Sequence, residues 1–113
     1  MQFLLLIYEN EKRFASGFDP AEMQEYDAFG KQHASAIKGG NALHPTTEGQ
    51  TVRVRNGKAL TTDGPFAETK EQLGGYYLVE VKDKKEALAL GARIPSARWG
   101  SIEVRPIIPH QMP

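Results

Sequence analysis

The sequence carries an uninterrupted apolar run at residues 3–7, and if this run is a strand, both of its faces must be shielded from water. Successive side chains of a strand point to opposite faces, so an apolar run without alternation makes both faces of its sheet apolar. The run is far shorter than the roughly 20 apolar residues of a spanning helix. It also lacks the basic start and the small-residue cleavage site of a signal peptide. We therefore predict a buried strand over residues 2–8, in a cytoplasmic protein.

Two helices are predicted from capping boxes at their N-termini. Asp19 and Glu22 frame the first box, and Asp83 and Glu86 frame the second, each with the spacing that lets two side chains cap each other's backbone. The first helix is expected to stop at the glycine pair 39–40 and the second at Pro95. The predicted inner stripes are Met23, Tyr26, Gly30, His33 and Ile37 in the first helix, and Ala87, Leu90, Gly91 and Ile94 in the second.

Five further strands are predicted at residues 41–45, 51–55, 58–62, 76–81 and 101–105. Asn56-Gly57 joins the strands at 51–55 and 58–62, because both positions of a two-residue hairpin turn favour residues that tolerate positive φ. The order β-α-β, hairpin, β-α-β matches an α+β ferredoxin-like sandwich with an inserted β-hairpin, in one domain over residues 1–113.

The pattern of the strands also predicts a homodimer. Two helices can cover only one face of such a sheet, yet the strands at 2–8 and 76–81 are apolar on both faces. A second copy of the chain is the simplest cover, and the alternative is a hairpin folded over its own sheet. On the last strand, Ile102 and Val104 are expected to face the helices, while Glu103 and Arg105 face the partner.

Composition excludes several classes of function. Lys and Arg total 14 and Asp and Glu total 14, so the basic excess that a nucleic-acid binder needs is missing. The absence of cysteine rules out disulfides, thiolate catalysis and Cys-ligated zinc. No histidine pair has metal-ligand spacing such as H-x-x-x-H. We expect no cofactor, no metal, no nucleic acid and no membrane partner.

One long motif carries a family resemblance. The stretch TDGPFAETKEQLGGYYLVE, followed by EALALGARIP and SIEVRP, resembles the YCII-related family, in particular its DGPFAETKE branch, and the likeness extends over essentially the whole chain. The resemblance implies a ferredoxin-like fold that dimerises sheet to sheet, as in dimeric α/β barrels, with a cavity at the interface. The branch is largely of unknown function, and its members often accompany extracytoplasmic-function sigma factors. Better-studied YCII relatives have a proposed catalytic His–Asp pair, but this chain departs from their helix motif around His33.

The candidate catalytic residues are Asp63, His44 and Glu68. Asp63 ends a hairpin strand before Gly64, where its carboxylate either faces the cavity or caps its own backbone in an Asx-turn. His44 is held extended by the following proline and could act as an acid or a base, or it is a partly exposed polar residue. Glu68 belongs to a polar run in which a desolvated carboxylate would suit general-acid chemistry, or a solvated turn would form surface ion pairs.

The candidate ligand-binding residues centre on arginine. Arg105 could pair two oxygens of a small organic anion with its planar fork, and Arg53 on the hairpin is the reserve. Alternatively, Arg105 forms a structural ion pair with Glu103 or Glu80. Two functions remain open, a small acid–base enzyme, or a non-catalytic module that binds a ligand or a protein in sigma-factor signalling. The full candidate binding set is Arg53, Phe66, which is expected to pack inward, Lys70, Glu71 and Arg105.

Overall fold

The computed structural model describes residues 1–109, and the last four residues of the expected domain lie outside this range. Residues 1–109 form six strands and two α-helices, with short 3-10 turns at Glu11–Phe14, Thr46–Glu48 and Pro95–Arg98. The elements are β1 (Gln2–Glu9), α1 (Pro20–Gln32), β2 (Ile37–Ala42), β3 (Gln50–Arg55), β4 (Lys58–Asp63), β5 (Gln72–Glu80), α2 (Lys84–Gly91) and β6 (Ser101–Pro106).

Four strands form one antiparallel sheet in the order β2-β5-β1-β6, and β3 pairs with β4 in a separate two-stranded sheet. The two β-α-β units are interleaved, because β5 lies between β1 and β2, and β1 lies between β5 and β6. This order confirms the α+β class and is consistent with the ferredoxin-like arrangement. No helix within residues 1–109 is long and apolar enough to cross a membrane.

The core lies between the helices and one face of the sheet. The odd-numbered positions of β1 point into it, as the period of a strand requires. Phe3, Leu5 and Val79 are completely buried, and Ile94 is 1 % exposed. The buried cluster consists of Phe3, Leu5, Ile7, Phe29, Val79, Val81, Ala87, Leu90 and Ile94, and Ile102 and Val104 pack against it as predicted.

The second helix follows its prediction closely. The Asp83 carboxylate accepts a hydrogen bond from the backbone N–H of Glu86 at 2.9 Å, which caps the first turn. Ala87, Leu90 and Gly91 are buried along the predicted stripe. The helix ends at Gly91, before Pro95.

The first helix differs from its prediction at both ends. The Asp19 carboxylate does cap it, but it accepts from Ala21 at 3.0 Å, and Glu22 is turned toward Arg13 instead of reaching back. The helix ends at Gln32, and the glycine pair 39–40 belongs to β2, because residues 37–42 form a strand with β5. The predicted strand at 41–45 therefore begins four residues too late.

The predicted stripe of α1 was also wrong in part. Met23 is 55 % exposed, whereas Glu22 and Phe29 are the buried residues of the helix. A rule that places apolar residues inside could not select Glu22, because its burial depends on a charged partner outside the helix.

The hairpin β3–β4 has the predicted turn. Asn56 has φ 53° and Gly57 has φ 76°, so both turn residues adopt the left-handed backbone conformation. Val52 and Val54 on β3 are 64 % and 63 % exposed, and Leu60 on β4 is 51 % exposed. Because both of its faces are exposed, the hairpin does not fold over the sheet of its own chain. The radius of gyration is 16.1 Å, against about 13 Å for a compact chain of this length.

Candidate functional site

The face of the four-stranded sheet that points away from the helices is called here the open face. On β1 it carries Leu4, Leu6 and Tyr8, the positions that alternate with the core residues. The register sets Leu4 beside Leu78 and Arg105, and it sets Leu6 beside Tyr76 and Glu103. The open face is defined by Leu4, Leu6, Tyr8, Asn41, Tyr76, Leu78, Ser101, Glu103 and Arg105.

A line of polar side chains, called here the polar row, follows the edge strand β6 along the open face. Glu103 accepts hydrogen bonds from Tyr8 Oη at 3.4 Å and from Arg105 Nε at 2.9 Å, and Arg105 Nη2 also donates to it. Two residues before Glu103 on β6, Ser101 Oγ donates a hydrogen bond to Glu71 Oε1 at 2.8 Å. The polar row is therefore Tyr8, Glu71, Ser101, Glu103 and Arg105.

Arg105 keeps free binding capacity in spite of its pairing. Like any arginine, the side chain is charged at neutral pH, and its hydrogen bond to Glu103 raises the pKa of the guanidinium further. The side chain is 64 % exposed. Within residues 1–109, Nη1 donates to no protein atom, so one edge of the guanidinium can bind another anion.

The loop from Gly64 to Glu71 connects the hairpin to the polar row. Gln72, which follows it, accepts a hydrogen bond from the backbone N–H of Glu11 at 3.0 Å and donates to the Thr69 carbonyl. These bonds fix the end of the loop at the end of β1. Glu71 is thereby held against β6, while Glu68 and Lys70 are exposed. Phe66 is 80 % exposed, so the expectation that it packs inward is wrong for the single chain.

The remaining predicted residues lie apart from the polar row. Asp63 is exposed at the end of β4, and its Oδ1 accepts from Gln50 Nε2 at 2.9 Å, so the carboxylate is bound to the neighbouring strand. Arg53 is exposed on the hairpin and His44 is exposed in the loop after β2. No hydrogen bond within residues 1–109 joins Asp63, His44 and Glu68. Of the predicted site residues, the structure thus brings Glu71 and Arg105 to one strand and leaves the others separate.

A buried charged group on the helix side escaped the sequence reasoning. Arg13 Nη2 donates to Glu9 Oε1 at 2.8 Å and to the Glu22 oxygens at 3.0 and 3.2 Å. Glu9 is 7 % exposed and Glu22 is 8 % exposed. The guanidinium lies 4.8 Å from the ring centroid of Phe14 and 5.3 Å from that of Trp99. The signal available in the sequence was Glu9, which falls on the inward-facing positions of β1 and stands four residues before Arg13.

The hydrogen bonds of Arg13 and of the neighbouring Tyr26 favour a structural role for this buried cluster. Burial lowers the pKa of Arg13, but hydrogen bonds to Glu9 and Glu22 outweigh it and the pKa is raised overall. Nearby, the Tyr26 hydroxyl is hydrogen-bonded to Ser96 Oγ, and Ser96 is 1 % exposed. Burial raises the pKa of Tyr26 to about 12 against the opposing effect of Ser96, so the phenol stays neutral. These groups join α1 and the turn at Pro95–Arg98 to the end of β1.

A shallow groove of about 340 Å³ lies between α1 and residues 92–98. Glu25 and Arg98 form an ion pair at its rim, with Nη2 and Oε1 2.7 Å apart. Arg98 also donates through Nε to the Pro95 carbonyl at 3.0 Å. Glu25 and Arg98 thus satisfy each other, whereas the side chain of Arg93, which also lines the groove, forms no ion pair within residues 1–109. Within residues 1–109, no cluster of three or more His, Asp or Glu side chains could hold a metal ion.

Comparison with known proteins gives two findings. The family model described as the YCII-related domain matches residues 1–111. An uncharacterised protein of Rhizobium meliloti (strain 1021) is 36 % identical over 114 residues, which cover 95 % of this chain and 92 % of that protein.

Proposed function

The chain belongs to the YCII-related family, and we propose that it is a homodimer that binds a small organic anion on the open face of its sheet. The observation that carries this proposal is the polar row, which places a charged arginine with a free edge on a sheet face that also carries leucine and tyrosine side chains. Arg105 is already paired with Glu103, so its free edge would take a second anionic group, and a carboxylate fits that edge. A ligand with an apolar body would also contact the leucines of the same face.

The residues divide the recognition between them. The free edge of Arg105 would take the carboxylate, because a guanidinium binds such a group through two parallel N–H donors. Leu4 and Leu78, which stand beside each other in the register, would contact the apolar body. Tyr8 already donates to Glu103 at 3.4 Å, a long bond that a ligand oxygen could replace.

The exposed area supports a second copy as the cover of this site. A monomer of 12.5 kDa is expected to expose about 6,200 Å² by the scaling of surface with mass. The chain exposes 8427 Å². The excess is larger than the roughly 800 Å² that each partner buries in a stable interface. We propose that two copies meet sheet to sheet, in the manner of a dimeric α/β barrel, and enclose the ligand between them.

Acid–base catalysis by Asp63, His44 and Glu68 remains a secondary proposal. In one copy these residues are exposed and separate. A working acid–base pair needs a hydrogen bond, either direct or through one water molecule. It would have to be assembled with groups from the second copy, so ligand binding is the function that the geometry supports best.

Thermal unfolding with a series of anions tests the proposal. Benzoate and hexanoate are compared with phosphate and sulfate at equal ionic strength. A ligand at ten times its Kd stabilises the folded state by about 1.4 kcal/mol. That gain raises the Tm of a domain of this size by several degrees. We expect a shift with the organic carboxylates, and its loss in Arg105→Ala with the dimer intact by light scattering.

Arg55→Ala is the matched control, because Arg55 is an exposed arginine whose donor Nη1 binds the adjacent Val54 carbonyl. It should retain the full shift. A full shift in Arg105→Ala would remove the anion site from the open face. A monomer at tens of micromolar, or no shift with any anion, would reject the proposal in favour of a module that binds another protein.

A further inference from the structure

The hairpin β3–β4 has two chemically different faces. Val52 pairs with Thr61 and Val54 pairs with Ala59, so these four side chains share one side, called here the uncharged face. The opposite side carries Arg53, Arg55 and Lys58 together with Leu60.

The uncharged face lacks a partner in the single chain. Val52 and Val54 are 64 % and 63 % exposed although they are β-branched side chains suited to packing on a sheet. A two-stranded hairpin by itself is only marginally stable in water. Its basic side can remain in water, but its uncharged side gains stability only by contact with another apolar surface.

The open face matches the uncharged face in chemistry and in size. Leu4 and Leu78 are partly exposed between the polar row on β6 and the far edge of the sheet, and Leu6 beside them is 9 % exposed. Each hairpin strand has six residues and is about 20 Å long at 3.3 Å per residue. Four strands spaced about 4.8 Å apart give a sheet roughly 15–20 Å wide. One hairpin is therefore long enough to cross the whole open face.

We propose that the hairpin of each copy lies across the open face of the other, with its uncharged face toward the leucines of the partner and the ligand enclosed between them. The exchange is reciprocal, as two-fold symmetry requires. This inference rests on the proposed homodimer and identifies the segment that closes the ligand site.

The arrangement makes the site a product of both copies. Asp63 follows Ala59 and Thr61 at the two-residue period of β4, so it lies on the same side as the uncharged face. Gln50, which binds the Asp63 carboxylate at 2.9 Å, is paired with it across the hairpin. The side that docks on the partner thus presents this carboxylate toward the partner's sheet. Asp63 would therefore lie over the open face of the neighbouring copy, and a single copy has an incomplete site.

Cross-linking between singly substituted chains tests the contact, because the protein contains no cysteine of its own. Val54→Cys is mixed with Leu78→Cys, and separately with Leu4→Cys; the mixtures are unfolded, refolded together and treated with a short bis-maleimide. We expect a covalent heterodimer in the mixtures and little product from Val54→Cys alone. The matched control is Arg53→Cys, the adjacent residue on the basic side, which should give at most a tenth of the product. The maleimide linker reaches further than a disulfide, so a shift in register does not hide the contact.

The outcomes separate this inference from the proposed function. Equal cross-linking from Arg53→Cys, or no product from Val54→Cys in a protein that light scattering shows to be a dimer, overturns the hairpin exchange and leaves the anion site standing. A cross-link within one chain of a Val54→Cys, Leu78→Cys double variant also overturns it. A monomeric wild-type protein rejects both proposals. Val52→Glu should dissociate the dimer at micromolar concentration and Arg53→Glu should not, and the opposite result also contradicts the exchange.

Discussion

Replacing Arg13 with methionine would leave two buried carboxylates without their shared cation. Glu9 and Glu22 are 7 % and 8 % exposed, and both bind Arg13 Nη2 at 2.8–3.2 Å. Removing one partner from a buried ion pair destabilises a protein by about 3–5 kcal/mol. The Arg13 side chain is 31 % exposed, so solvent reaches the site. We therefore expect the free energy of unfolding to fall by about 2–3 kcal/mol.

Urea unfolding at fixed protein concentration measures the effect, with Trp99 fluorescence and circular dichroism as two probes. The control is the triple variant Arg13→Met, Glu9→Gln, Glu22→Gln, which removes the unpaired charges and should recover about half or more of the loss. Arg55→Met is a second control, because this arginine is exposed and its side chain donates to the adjacent Val54 carbonyl, so its loss should leave the urea midpoint unchanged. A loss below about 1 kcal/mol for Arg13→Met, or an equal loss in the triple variant, would refute the view that uncompensated burial of charge controls this site.

Two further predictions concern packing and titration. Burial raises the pKa of Tyr26 to about 12, so the folded state holds this proton more tightly than the unfolded chain, and stability should fall as pH rises from about 10 to 12. Tyr26→Phe should flatten that part of the curve, and an unchanged slope in alkaline urea titrations would contradict the assignment. A Cβ on Gly40 would lie 2.6 Å from the Tyr76 carbonyl oxygen, whereas one on Gly39 would meet only Leu78 Cβ at 4.0 Å. Gly40→Ala should therefore lower the Tm by about 5 °C or more and Gly39→Ala should leave it within about 2 °C, so equal melting temperatures would contradict the close approach.

The elements that could be predicted from the sequence depend on local signals. Asp83 caps α2 through the residue three positions later. Asn56 and Gly57 adopt positive φ because glycine has no Cβ and asparagine tolerates the left-handed region. The division of β6 into an inner side with Ile102 and Val104 and an outer side with Glu103 and Arg105 follows from the strand period alone.

The candidate site was predictable only in fragments. Arg105 and Glu103 were placed together because they lie two residues apart on one strand, and the structure pairs them. The contact of Glu71 with Ser101 joins residues 30 positions apart, and it depends on how the loop after β4 is fixed to β1. Nothing in the sequence near Glu71 or near Ser101 indicates that these two residues are in contact.

The amino-acid sequence by itself determined where the hairpin turns, where α2 begins and which side of β1 and β6 faces the core, because these features depend on backbone preference and on the fixed period of a strand. Tertiary structure decided the rest. Residues 37–42 form a strand beside β5, although no glycine or proline separates them from the end of α1 at Gln32. Glu22 is buried although it is charged, because folding brings Arg13 to it and a buried carboxylate is tolerated only when such a partner is present.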